Sequence, residues 1–142
     1  MLKKIILILI LAFITTSAYS QVNISGRRYG GRRDFAPEPR LLSPVEELVS
    51  LKRQTELTFK WSPHETLLSG SARKYYDFRL YRGYELVKSA LIFKEKVPGN
   101  KHSISLNSEL FKDKETYTWS VRQVYRDGGK SRRSVSSFKV IK

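Results

Sequence analysis

Residues 115–124, ETYTWSVRQV, alternate by twos and leave little choice of secondary structure. Tyr117, Trp119 and Val121 fall on one side of an extended chain, and Thr118, Ser120 and Arg122 on the other. That period belongs to a strand with one face in a core. The same alternation recurs at Leu57, Phe59 and Trp61, and again at Tyr76, Phe78 and Leu80. No long helical pattern accompanies them. Several such strands and no amphipathic helix predict two antiparallel sheets packed face to face.

The start of the chain is set apart from this pattern. Lys3 and Lys4 precede the apolar run IILILILAFI at 5–14, and Ala18 and Ser20 supply small residues at a cleavage site before Gln21. This is the pattern of a secretory signal peptide over 1–20. The run is well short of the ~20 apolar residues that span a bilayer. Cleavage after Ser20 leaves 122 of the 142 residues and takes the formal charge from +14 to +12. The expected location is secreted or periplasmic, in a bacterium. The chain has no cysteine, so disulfides, a thiol nucleophile and a cysteine zinc site are excluded. Stability must come from a core; the sequence has seven Phe, eight Tyr and two Trp, all but Phe13 and Tyr19 after the cleavage site, and each such ring buries about 150–250 Å².

Residues 21–40 read as a flexible tail. Gly26, Gly30, Gly31, Pro37 and Pro39 interrupt it, and GRRYGGRR at 26–33 puts four arginines in eight residues. Like charges and glycines do not build a core. The domain is expected over 41–142. Leu41 to Pro44 should be an edge segment, since an edge tolerates proline. Ser43-Pro44-Val45-Glu46 equally fits a capped helical turn, so 44–49 is either a turn of helix or edge strand. Further strands are expected at 55–61, 74–82, 86–97, 102–107, 115–125 and 132–141. Leu91 and Phe93 are expected core contacts of the fourth. Pro98-Gly99-Asn100 and Asp127-Gly128-Gly129 are turn signals. Seven short antiparallel strands make an immunoglobulin-like sandwich.

Within this pattern LTFKWSP (57–63), YDFRLYRG (76–83) and FKDKETYTWSV (111–121) resemble a fibronectin type III domain, and the resemblance spans residues 41–141. Trp61 stands where that family ends its second strand in a core Trp before Pro. Phe111 and Tyr117 stand at its six-residue spacing. The resemblance implies that the Tyr117 hydroxyl bonds backbone upstream and closes a corner. Two departures are Phe111, where the family usually has Leu, and Gln123, where a small apolar residue is usual. Gln123 is expected to leave the end of its strand solvated. Such sandwiches serve unrelated roles, so the resemblance implies a fold and no activity.

Catalytic chemistry finds no foothold. His64 and His102 lack any metal-ligand spacing and read as solvated side chains. The acids are scattered, with Glu46-Glu47 the only adjacent pair, and neither a GxSxG turn nor a phosphate-cradling loop occurs. We expect no enzyme, no cofactor and no metal, and no small-molecule substrate is evident. Arg126-Asp127-Gly128 has the wrong order for an adhesion tripeptide.

The basic clusters carry the functional signal. Arg27, Arg28, Arg32 and Arg33 surround Tyr29 in the tail. Arg73 and Lys74 close a loop, and Arg126, Lys130, Arg132 and Arg133 surround the last hairpin. In a fibronectin-like topology the N-terminus, that loop and that hairpin emerge at one pole, with Asp34, Glu65 and Asp127 the nearby acids. Arginine presents paired planar donors to phosphate, sulfate and carboxylate, and Tyr29 could stack on a ring. The leading expectation is a non-catalytic binding module whose basic pole docks an anionic protein, glycan or membrane surface. The alternative is a structural or assembly subunit of a cell-envelope complex, with a tail that orders on binding and edges open to strand addition. Nucleic acid is a third candidate, because tyrosine among arginines suits bases; the export signal weighs against it.

Overall fold

The computed structural model describes residues 38–64 and 73–142. The expected signal peptide, the tail arginines with Tyr29, and Glu65 lie outside the described residues.

Eight strands form two sheets. They are β1 (Arg40–Ser43), β2 (Leu48–Ser50), β3 (Glu56–Ser62), β4 (Arg73–Arg82), β5 (Leu91–Pro98), β6 (Ser103–Asn107), β7 (Thr116–Tyr125) and β8 (Ser134–Ile141). One sheet has the order β1-β3-β6 and the other β2-β8-β7-β4-β5. The count exceeds the expected seven because the opening segment serves both sheets. Of the two forms expected for 44–49 the helical turn is absent, and Leu48 and Val49 lie in β2, the edge strand of the second sheet. β1 pairs antiparallel with β3, and β2 pairs parallel with β8, against the expectation of a wholly antiparallel sandwich. Between them the Pro44 carbonyl accepts a 2.9 Å hydrogen bond from the buried Trp119 Nε1. That bond ties the crossing segment to the interior.

The alternating residues meet between the sheets. Phe59, Trp61, Tyr76, Phe78, Tyr117, Trp119 and Val121 are buried, together with Phe111, Phe138 and Val140. Phe59 sits at the centre. Its ring lies 5.2 Å from those of Phe78 and Trp119, 5.9 Å from Phe138 and 6.3 Å from Phe111. Trp61 packs edge-on against Tyr76 at 5.3 Å. Such tilted and edge-to-face contacts suit the ring quadrupole. Phe93 packs against this cluster as expected, whereas Leu91 is only half-buried and Ile92 makes the core contact in its place. The reason is a register shift between Leu80 and Tyr81 where β4 meets β5.

The corner implied for Tyr117 is present. Its hydroxyl accepts a 2.8 Å bond from the Lys112 N–H and donates to Glu115 at 3.1 Å. Phe111 packs on the same ring at 5.1 Å.

Candidate functional site: two basic surfaces on the five-stranded sheet

At one end of the five-stranded sheet, β4 begins, β5 ends and the β7–β8 hairpin turns. Arg73 lies opposite Tyr125, one residue from Arg126. Lys130 pairs with Val124, which in turn lies opposite Tyr75. The turn after β5 docks on the start of β4 through a Gly99 N–H to Lys74 carbonyl bond of 3.3 Å. A Cβ on Gly99 would stand 2.5 Å from the Arg73 carbonyl oxygen, so only glycine permits the approach. Lys101 belongs to the same turn, its N–H donating to the Pro98 carbonyl at 2.9 Å, and is a cation that sequence reasoning does not single out. The backbones of Arg73, Lys74, Arg126 and Lys130 thus lie on neighbouring segments at one end of this sheet. Lys74, Lys101, Arg126 and Lys130 are exposed and Arg73 half-buried. Asp127 caps the turn, its Oδ1 accepting the Gly129 N–H at 2.8 Å, while Gly128 takes φ +85°. Arg132 is exposed on the same hairpin.

Arg133 departs from the expectation. Strand alternation turns it away from the tip onto the outer face of the sheet, where it contacts the Asp77 carboxylate. It also donates to the Asp77 carbonyl at 3.1 Å and to Ser120 Oγ at 3.2 Å. Asp77 is only 5% exposed and receives two more guanidiniums. Arg79 reaches both of its oxygens at 3.2 Å, and Arg122 reaches Oδ2 through Nε and Nη2 at 3.2 and 3.1 Å. The three arginine side chains are 18–27% exposed.

One carboxylate therefore answers three guanidiniums. Burial pushes the Asp77 carboxyl up, but Arg133, then Arg79 and Arg122, outweigh burial and hold it below the ordinary carboxylate range. Burial disfavours the charge on Arg133; Asp77 opposes this, Arg79 and Arg122 add to it, and the guanidinium ends below its ordinary range. Arg79 ends above its own, because hydrogen bonds to Tyr81 and Asp77 exceed the cost of burial. The cluster is thus short of negative charge.

Register sets two lysines beside it. Lys96 lies opposite Asp77, and Lys94 opposite Arg79. Lys96 Nζ stands 5.1 Å above the Tyr75 ring, a cation–π contact that steadies it toward the tip. Of this face only Arg133 is among the sequence candidates; Asp77, Arg79, Arg122 and the two lysines are not. The signal was available in the outward set of the alternating strands, once their register was known.

Two polar expectations are corrected nearby. Gln123 is fully buried, not solvated. Its Oε1 accepts the His64 N–H at 2.8 Å, and its Nε2 donates to the His64 carbonyl at 3.3 Å and to Tyr125 Oη at 2.6 Å. The amide thereby pins the end of β3 to β7, work that a small apolar residue cannot do. His102 is half-buried and packs edge-on against Tyr76 at 5.8 Å. Its Nε2 is shielded from solvent without a hydrogen-bond partner among the described residues, as are Trp61 Nε1 and Tyr76 Oη. His64 is exposed. Among the described residues no group of three or more His, Cys, Asp or Glu could hold a metal ion.

No family model matches the sequence, and no curated protein matches it. Solved structures do. The FN1–FN3 domains of chicken CNTN1 superpose with a TM-score of 0.52 at 15% identity, over 76% of this chain and 31% of that one. The α-L-rhamnosidase from Dictyoglumus thermophilum superposes with a TM-score of 0.57 at 16% identity, over 77% of this chain and 13% of that one. This chain therefore corresponds to a minor part of each. At such identities the likeness concerns the fold, which is fibronectin type III-like.

Proposed function

We infer that this chain is an exported, non-catalytic binding module that docks an anionic partner through the basic tip of its sandwich. The observation that supports the reading is the meeting of Arg73, Lys74, Arg126 and Lys130, from two segments about fifty residues apart, on neighbouring strands. Strands about 4.8 Å apart set the backbones of these residues one or two spacings from each other, a scale comparable with the Debye length of ~8 Å at physiological salt. Their fields add, and an approaching anion meets them together. The core fixes the strands that carry the tip, so the ordering cost of binding falls mainly on its long side chains. Export rests on the N-terminal sequence pattern. The tail arginines Arg27, Arg28, Arg32 and Arg33 join the proposal from the sequence alone.

Two variants test it on a sulfate-bearing cation-exchange resin. Lys74→Gln with Arg126→Gln and Lys130→Gln should elute at clearly lower salt than three Lys→Gln changes at Lys52, Lys60 and Lys112. The tail variant Arg27→Ser, Arg28→Ser, Arg32→Ser, Arg33→Ser should fold normally and also elute early. Equal elution of the tip variant and the control triple would refute docking through the tip.

A further inference from the structure

We propose that the outer face of the five-stranded sheet, with Lys94, Lys96, Arg79, Arg122 and Arg133 on two neighbouring rungs, is a bed for an extended anionic polysaccharide. The proposal rests on the reading of the chain as a module for anionic partners, and names the partner and a second surface for it. The two rungs follow from register. Lys96, Asp77 and Arg122 are successive partners across β5, β4 and β7, and Lys94, Arg79, Ser120 and Val135 are successive partners across β5, β4, β7 and β8. Arg133 immediately precedes Ser134 of β8, which pairs with Val121, and its guanidinium lies over Ser120. Four strands at about 4.8 Å give a patch roughly 14 Å wide, and two outward positions along a strand about 7 Å long. Five cations against the single carboxylate of Asp77 leave it strongly positive.

Asp77 does more than neutralise. Sunk in the face at 5% exposure, it holds one edge of each guanidinium down against the sheet. Arginines so held are ordered before a ligand arrives, and the planar donors suit sulfate and carboxylate. An anion laid on the face supplies the negative charge that three guanidiniums lack.

The choice of partner follows from what the rungs do not carry. Protein interfaces put apolar and aromatic residues at their centre, enrich Arg and are depleted of Lys; here the two rungs carry no aromatic side chain and two lysines, and Val135 is the one exposed large apolar side chain on them among the described residues. Membrane-surface binding sinks Trp, Phe or Leu below the head groups, and these rungs offer none. A flat array of cations, continuing past Tyr75 and Lys96 to the tip, matches a rod that repeats its charge along its length.

The test uses the full exported chain and isothermal titration with a heparin octasaccharide and an oligogalacturonate of equal length. Lys94→Gln with Lys96→Gln removes two exposed cations without touching the Asp77 cluster. It should weaken both sugars about tenfold and lower the slope of log affinity against log salt by about 1.5, as the loss of two ionic contacts requires. Lys94→Arg with Lys96→Arg should restore both. Unchanged sugar affinity in the Gln variant, with Lys74→Gln and Lys130→Gln still weakening it, overturns the bed and leaves the basic tip standing. Absence of binding to any polyanion by the unaltered chain overturns both. Tighter binding of polyglutamate, phosphatidylserine vesicles or single-stranded DNA than of either sugar also overturns the polysaccharide assignment.

Discussion

Replacing Asp77 by Asn should destabilise the domain by about 2–4 kcal/mol. The figure follows from burial. Removing one partner of a fully buried ion pair costs about 3–5 kcal/mol, because the other charge stays desolvated and alone. Here three guanidiniums lose their counter-ion together, but each keeps 18–27% of its side chain in contact with water. Partial hydration lowers the cost per arginine, and mutual repulsion among the three raises it. Urea denaturation followed by tryptophan fluorescence measures the loss; with a slope of ~2 kcal/mol per molar, the middle of the usual range for small domains, the midpoint should fall by roughly 1–2 M. Adding Arg133→Met to Asp77→Asn should recover part of the stability, since an apolar side chain there carries no stranded charge. The acid limb of the pH profile supplies a further check. A carboxyl held below its unfolded value of 3.8 contributes fully above that value, and the contribution disappears as pH falls through the folded one. The unaltered protein should therefore lose stability more steeply on acidification below about pH 4 than Asp77→Asn does. A loss under about 0.5 kcal/mol at pH 7, with parallel acid limbs, would refute the claim that one carboxylate organises this face.

Three other perturbations probe the frame that carries the surfaces. Trp61→Ala removes a ring with 1% exposure and should cost about 3–5 kcal/mol in the same urea assay; below about 1 kcal/mol, the ring is not in a sealed core. Tyr117→Phe deletes the acceptor of the Lys112 N–H and should cost about 1–1.5 kcal/mol, with faster amide exchange at Lys112 as the specific sign. Gln123→Leu keeps the volume but strips His64 of both backbone partners; about 1–3 kcal/mol should be lost, and exchange at the His64 amide should rise before that of the β4 amides.

The strands were readable because a half-buried strand writes its inward face as every second residue. Phe59, Trp61, Phe78 and Trp119 announce themselves in that way, whereas the corner at Tyr117 is implied by the resemblance to fibronectin type III domains. The tip was partly readable, since Arg73, Lys74, Arg126 and Lys130 form short runs near turns. The outer face was not. Lys94, Lys96, Arg79, Arg122 and Arg133 come singly from four strands, and only the pairings of Lys96 with Asp77 and of Asp77 with Arg122 bring them together. Arg133 was assigned to the tip because it follows the hairpin in sequence, although alternation sends its side chain elsewhere. Gln123 shows a related limit: a lone amide in an apolar row signals solvent unless its partner, the backbone of His64 about sixty residues earlier, is known.

The parallel pairing of β2 with β8 also governs how the domain answers tension. Both strands run the same way, and the bonds from the Lys139 N–H to Glu47 and from the Leu51 N–H to Ile141 bracket them. A pull on the chain ahead of β2 opposes a pull on the far end of β8, so the rungs between them are sheared together and cannot be unzipped singly. A pull from the tail side would first load β1 and its antiparallel pairing with β3, and only then this clamp.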